Sequence, residues 1–129
     1  KHNFHIEWPV ICKIARMSGA DFIHAGMWGG YYHEEEEDLR KTIAALTDGD
    51  DYEGTVPALS GGMHPGLVGE VTNRFGNDIM CSCGGAIHGH PSGTVAGTKA
   101  MKQSIDAAMK EIDLENISLQ SDLKEATDK

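Results

Sequence analysis

Basic residues are scarce in this chain: 11 Lys and Arg stand against 20 Asp and Glu, a formal net charge of −9. Attraction to phosphate backbones and anionic lipid needs clustered positive charge, and these eleven residues are scattered, which argues against nucleic acid and membrane as partners. Long apolar runs are missing too. No stretch approaches the ~20 residues of a transmembrane helix, and the opening Lys1-His2-Asn3-Phe4-His5 lacks the apolar segment and cleavage site of a secretory signal. Cysteine is limited to Cys12, Cys81 and Cys83, an odd count with two of them only two apart. No disulfide framework is expected, and a reducing, cytoplasmic setting fits. An initiator methionine is also absent, and the first residues lead straight into an amphipathic stretch, which reads as a fragment of something longer.

What is there is an ordinary globular composition, 40% hydrophobic and 24% charged over 129 residues, enough for one domain with its own core. In 7–17 the apolar positions Trp8, Ile11, Cys12, Ile14 and Ala15 recur at helical spacing, with Pro9 tolerated in the first turn and Gly19 as a stop. The run 20–25 lies between glycines and suits a buried strand. A glycine-rich loop, 26–30, precedes a helix over 34–46, whose acidic start, Glu34 to Asp38, reads as a solvated face favoured by the helix dipole. A second strand, 55–59, a helix, 66–75, and a third strand, 78–83, follow, and after a loop through His88, Gly89, His90 and Pro91 a last helix covers 95–112. Its expected apolar face is Met101, Ile105, Ala108, Met109 and Ile112. The remainder, 113–129, has enough leucine and isoleucine for a short helical tail.

A leading helix followed by three strand-loop-helix units is α/β architecture with parallel strands. A complete (β/α)₈ barrel needs ~250 residues, so 1–112 amounts to less than half of one. All three strands end in a polar or glycine cluster: His24 then Gly26, Ser60-Gly61-Gly62, and Gly84-Gly85. In parallel α/β folds that edge is where ligands bind, and glycines let backbone N–H groups approach an anion closely. Read alone, each glycine pair is equally a tight strand-to-helix turn; repetition at corresponding strand ends favours phosphate binding.

Three segments carry a family resemblance: Lys13-Ile14-Ala15-Arg16-Met17-Ser18-Gly19-Ala20-Asp21-Phe22-Ile23-His24, Ser60-Gly61-Gly62-Met63-His64-Pro65-Gly66, and Cys83-Gly84-Gly85-Ala86-Ile87-His88-Gly89-His90-Pro91-Ser92-Gly93. In this order and spacing they resemble the large chain of ribulose bisphosphate carboxylase (RuBisCO) and the RuBisCO-like proteins. The resemblance places the chain as helix five and strands six to eight, with their helices, of a C-terminal (β/α)₈ TIM barrel. It implies that His24 helps bind one phosphate of a phosphorylated sugar or ketose. Ser60 would contact the substrate's hydroxyl or carbonyl region, Gly61 and Gly62 would line the phosphate site, and the amides of Gly84 and Gly85 would bind the other phosphate.

The family's Mg²⁺ ligands and proton-abstracting lysine lie on earlier strands, so the resemblance implies Mg²⁺ in the full-length enzyme, no metal ligand and no catalytic residue in this chain, and binding as its contribution. Tyr31 stands where carboxylating members carry a lysine, and a neutral phenol cannot supply an ammonium to a developing carboxylate. Phe22 and Ala86 replace a histidine and a glycine common in carboxylases. These departures point to a RuBisCO-like enzyme that keeps enolate chemistry. A divergent carboxylase and a non-catalytic phosphate-binding half-barrel are the alternatives.

Trp28, Tyr31 and Tyr32 in the glycine-rich loop read either as a lid over an apolar substrate group or as a packing patch at a subunit interface. His64, His88 and His90 read as loop histidines rather than a zinc site, and Cys81 and Cys83 as small side chains filling the barrel interior. Three parallel strands leave two open edges and an uncovered face, so a homodimer, a higher oligomer or pairing with a complementary barrel half is expected.

Overall fold

The computed structural model describes residues 5–49 and 51–110. Its elements run α1 (Trp8–Met17), β1 (Phe22–Gly26), α2 (Glu36–Thr47), β2 (Val56–Ser60), α3 (Pro65–Phe75), β3 (Met80–Ser82), α4 (Gly84–His88) and α5 (Thr94–Met109). The three strands form one parallel sheet in the order β1-β2-β3, the α/β arrangement expected from the alternating pattern. The tail 113–129 and the end of the last expected helix lie outside the described residues.

Register explains two local features. Phe22 pairs with Val56 and His24 with Ala58, but Gly26 pairs with Leu59, so β1 spends three residues against two of β2 and bulges at its C-terminal end. Pro57 sits in the middle strand, where a missing N–H usually breaks a ladder. The Val56 amide donates to Asp21 on the β1 side, so by alternation the Pro57 nitrogen faces the β3 side. There β3 pairs only from Ala58 onward, and no donor is needed.

Helices cover one face of the sheet. Leu59 of β2 packs with Leu39 and Leu46 of α2, Val68 and Val71 of α3 and Met101 of α5 in a single core. Cys81 is the register partner of Leu59 and packs against this core, so it faces the helices and not the barrel interior expected for it. Cys83 lies just past β3 as the residue preceding α4, also against the core. The opposite sheet face carries Phe22, His24, Val56, Ala58, Ser60, Met80 and Ser82 by alternation, and Phe22 is 56% exposed.

Two helices bury a different side from the one their large apolar residues suggest. On α5 the buried positions are Ala96, Gly97, Ala100, Met101, Ser104 and Ala107, whereas Ile105 and Met109 are exposed. Small residues are required because α5 runs close to its neighbours: a β-carbon on Gly97 would lie 2.3 Å from the Ile87 carbonyl oxygen, and Ser104 Oγ donates to Pro65 O at 2.5 Å. On α1 only Cys12 and Arg16 are buried, while Val10, Ile14 and Met17 are exposed. Arg16 is buried because its guanidinium donates to four backbone carbonyls, those of Asp48, Gly49, Tyr52 and Glu53, at 2.5–3.0 Å. It thereby closes the connection between α2 and β2, which Thr55 completes by donating to Ala20 O at 2.6 Å.

Candidate functional site

The C-terminal ends of β1 and β2 bring His24 and Ser60 together. Ser60 Oγ lies 2.8 Å from His24 Nδ1, a hydrogen bond between residues two strand ends apart in sequence and adjacent in space. The bulge lies just past this contact, at Ala25 and Gly26, while His24 itself keeps regular register opposite Ala58, two residues before Ser60. Trp8, in the first turn of α1, donates its indole N–H to the carbonyl of His24 at 3.0 Å. By alternation from Asp21, that carbonyl faces the open edge of β1, away from β2. His24 is thus held through its ring from one side and its backbone from the other. Trp8 was read from sequence as a helix-face apolar residue, and no spacing signal links positions 16 apart.

The loop 27–35 packs directly on the loop after β2. Tyr32 N–H donates to Gly61 O at 3.0 Å and Glu34 N–H to Met27 O at 2.8 Å, while Met27 is fully buried. Gly61 and Gly62 have φ of +113° and +109°, and a β-carbon on Gly62 would lie 2.5 Å from Tyr31 N and 2.9 Å from Gly30 Cα. Glycine at 61–62 is therefore demanded by close backbone approach of this loop. Of the three expected lid residues, Trp28 is half-buried against the core with the Arg74 guanidinium 4.1 Å from its ring centroid. Tyr31, by contrast, is 91% exposed.

The end of β3 is different. Gly84 and Gly85 open α4, a short helix where a loop was expected, and a β-carbon on either would meet nothing within 4 Å. Their glycine character is not required by packing on any described residue. The histidines that follow are turned to local bonds: His88 Nδ1 is 3.3 Å from Thr94 Oγ1, and His90 Nδ1 accepts from Ser92 N–H at 3.1 Å. Among the described residues no three His, Cys, Asp or Glu side chains are grouped to hold a metal ion.

Glu34 corrects the expectation of a uniformly solvated acidic run. Glu36, Glu37 and Asp38 do occupy the first turn of α2, but Glu34 precedes the helix. Its Oε2 is buried without a hydrogen-bond partner and rests on Gly26 Cα, where a β-carbon would come within 2.7 Å of the Glu34 carboxyl carbon. Burial pushes the Glu34 carboxyl above its ordinary range, opposed by the Tyr32 hydroxyl, which donates to Oε1 at 3.4 Å, and reinforced by the nearby Asp38 charge. Burial, with the Glu34 charge adding to it, raises the Cys12 thiol to about 11, and burial raises the thiols of Cys81 and Cys83 as well. All three are held in the unreactive thiol form. Burial lowers the His64 imidazole, favouring its neutral form.

The model of the ribulose bisphosphate carboxylase large chain, catalytic domain, matches residues 1–129. The chain belongs to the RuBisCO large-chain family. It is 40% identical over 131 residues to the ribulose bisphosphate carboxylase of Pyrococcus furiosus, covering 100% of this chain and 31% of that protein. To the 2,3-diketo-5-methylthiopentyl-1-phosphate enolase of Geobacillus kaustophilus it is 37% identical over 98 residues, 75% of this chain and 24% of the enolase. Among solved structures, the RuBisCO-like protein MtnW of Alicyclobacillus acidocaldarius superposes with a TM-score of 0.88 at 28% identity, over 100% of this chain and 33% of MtnW. The octameric RuBisCO of Pyrococcus horikoshii gives 0.84 at 36% identity, over 90% of this chain and 28% of its own. The chain therefore spans about a third or less of the RuBisCO relatives it matches. No helix among the described residues is long and apolar enough to cross a membrane.

Proposed function

We propose that this chain is the strand six to eight portion of the (β/α)₈ barrel of a RuBisCO-like enzyme that binds a phosphorylated sugar or sugar-derived ketone and acts on it through an enolate. The observation that carries this reading is the His24–Ser60 pair, 2.8 Å apart at neighbouring strand ends, with glycine clusters at the same edge of β2 and β3. Imidazole and backbone N–H groups supply neutral hydrogen bonds to phosphate and carbonyl oxygens, and the Ser60 oxygen can accept from a substrate hydroxyl. The names of the relatives, ribulose bisphosphate carboxylase and 2,3-diketo-5-methylthiopentyl-1-phosphate enolase, share a phosphorylated ketone, which supports that substrate class.

Two features favour an enolase-type or isomerase-type outcome over carboxylation. Tyr31 projects into solvent from the loop position expected to hold a lysine, and Glu34, four residues before Asp38, brings a carboxyl and no ammonium to the base of that loop. The Mg²⁺ implied by the family does not fit the described residues, which offer no group of three acidic or imidazole ligands, and no step through it belongs to this chain. Its share is binding and orientation, and the chain alone is inactive on this reading. The exposed apolar sides of α1 and of the sheet support assembly with further barrel strands or with other copies. Dimeric and octameric RuBisCO structures are among the similar ones.

Titration of the chain with ribulose bisphosphate, followed by calorimetry, tests the site. His24→Ala should weaken binding by about 1–3 kcal/mol, the loss of one hydrogen bond to a charged ligand, and Ser60→Ala should weaken it too by freeing the His24 ring. Wild-type affinity in both variants would remove the site. Incorporation of labelled CO₂ by the full-length enzyme would overturn the choice against carboxylation.

A further inference from the structure

The hydrogen bond between Ser60 Oγ and His24 Nδ1 has two directions, and the choice fixes what His24 offers a ligand. If the hydroxyl donates, Nδ1 is the acceptor, the ring carries its proton on Nε2, and the free nitrogen is a donor. If Nδ1–H donates, Nε2 is a bare acceptor, which repels a phosphate or carbonyl oxygen. Among the described residues, His24 Nδ1 is the one acceptor that the Ser60 hydroxyl reaches. Ser60 is less exposed than His24, so the arrangement that turns the hydroxyl onto Nδ1 and leaves the ring N–H outward satisfies both donors. His24 is exposed, so its Nε2 side is open for that purpose.

The backbone of the same residue is fixed separately. The His24 carbonyl faces the open edge of β1, and the Trp8 indole N–H caps it at 3.0 Å. Without this bond the last residues of an edge strand with a bulge have one side of their ladder unpaired. Two residues from two other elements, α1 and β2, therefore converge on His24, one on its ring and one on its main chain.

We propose that Ser60 and Trp8 are positioning residues for His24: the Ser60 hydroxyl donates to Nδ1 and locks the neutral ring in its Nε2–H form, and the Trp8 indole holds the His24 carbonyl, so that a single oriented N–H faces the ligand oxygen. This deepens the proposed binding role of His24 and rests on it only for the identity of the ligand. Ser60 then acts through His24, and its hydroxyl is already engaged before any ligand arrives.

The experiment is a two-bond ¹⁵N–¹H correlation spectrum of the uniformly ¹⁵N-labelled full chain at mildly alkaline pH, where imidazoles are neutral. His24 Nδ1 should resonate as an unprotonated, pyridine-type nitrogen and Nε2 as a protonated one. Ser60→Ala should move both signals toward the averaged pattern of a free imidazole, and Ser60→Thr, which keeps the hydroxyl, should restore them. Trp8→Phe should keep the Nε2–H pattern and broaden the His24 ring signals. A protonated Nδ1 in the wild type, or an unchanged pattern in Ser60→Ala, overturns the assignment to Ser60; unchanged line widths in Trp8→Phe overturn the one to Trp8. The wild-type spectrum decides the main point even if a variant fails to fold. Inorganic phosphate added to the same sample should shift Nε2. An Nε2–H ring that ignores phosphate would support the positioning roles and sink the binding role of His24.

Discussion

Alanine at Gly62 and at Gly84 should give opposite outcomes, although both glycines end a strand in the same kind of cluster. At Gly62 the backbone has φ of +109°, and the added methyl would sit 2.5 Å from Tyr31 N and 2.9 Å from Gly30 Cα. Both obstacles are main-chain atoms, so no side chain can swing aside. A non-glycine residue at such φ costs roughly 1–2 kcal/mol. Displacing the loop 27–35 would also strain the Tyr32 N–H to Gly61 O bond, worth about 0.5–1.5 kcal/mol. Gly62→Ala should therefore destabilise the chain by about 2–4 kcal/mol. At Gly84 φ is not positive, nothing lies within 4 Å of the new methyl, and the residue sits in the first turn of α4. There alanine should be neutral or stabilise by about 0.4–1 kcal/mol through the unfolded chain. Urea denaturation with an unchanged m-value measures both. Equal losses in the two variants would refute the assignment of Gly62 to loop packing. The same Gly84→Ala protein tests function, because a methyl on the open side of Gly84 obstructs a phosphate approaching its amide. Affinity for ribulose bisphosphate should fall about tenfold or more, a ~1.4 kcal/mol loss, while stability holds. A stable Gly84→Ala variant with wild-type affinity would show that this glycine does no more than start the helix.

Arg16→Ala removes the common donor of four carbonyls in a part-buried turn, so a loss of about 3 kcal/mol is expected in urea denaturation. A loss under about 1 kcal/mol would mean that water replaces the guanidinium without cost. Glu34 sets a pH dependence. Its carboxyl titrates higher in the folded chain than in the unfolded one, so folding retains the proton that the unfolded chain releases. Its contribution is complete below the unfolded value and is lost as pH rises toward the folded one. Glu34→Gln, which cannot ionise, should therefore gain stability relative to wild type on going from acidic to neutral pH, and a constant difference across that range would contradict the burial of Oε2.

The fold was legible where the chain repeats a simple period. Three strand-loop-helix units, bounded by Gly19, Gly26, Gly61 and Gly76, appear in the structure with their ends within a few residues of where glycine and apolar spacing put them. The faces were harder to read, since hydrophobicity alone points to Ile105 and Met109 as the inner side of α5. The decisive variable there was distance between backbones: Gly97 against the Ile87 carbonyl and Ser104 against the Pro65 carbonyl admit only small side chains. Ile105 and Met109 end up outside, and Met101 is the one large α5 side chain that reaches the core. The same reasoning separates the two glycine pairs. Sequence presented Gly61-Gly62 and Gly84-Gly85 as equivalent, yet the first pair is consumed by a loop that folds back onto it and the second faces open space. Glu34 was hidden for a related reason, since a run of acids looks solvated until the Glu34 N–H to Met27 O bond sets one of them against Gly26. His24 and Ser60 were legible singly as strand-end polar residues, and their 2.8 Å contact depends on a parallel register, His24 opposite Ala58, that no local pattern announces. A site assembled from strand ends is therefore visible in sequence as a set of residue types, and becomes a chemical arrangement only through register.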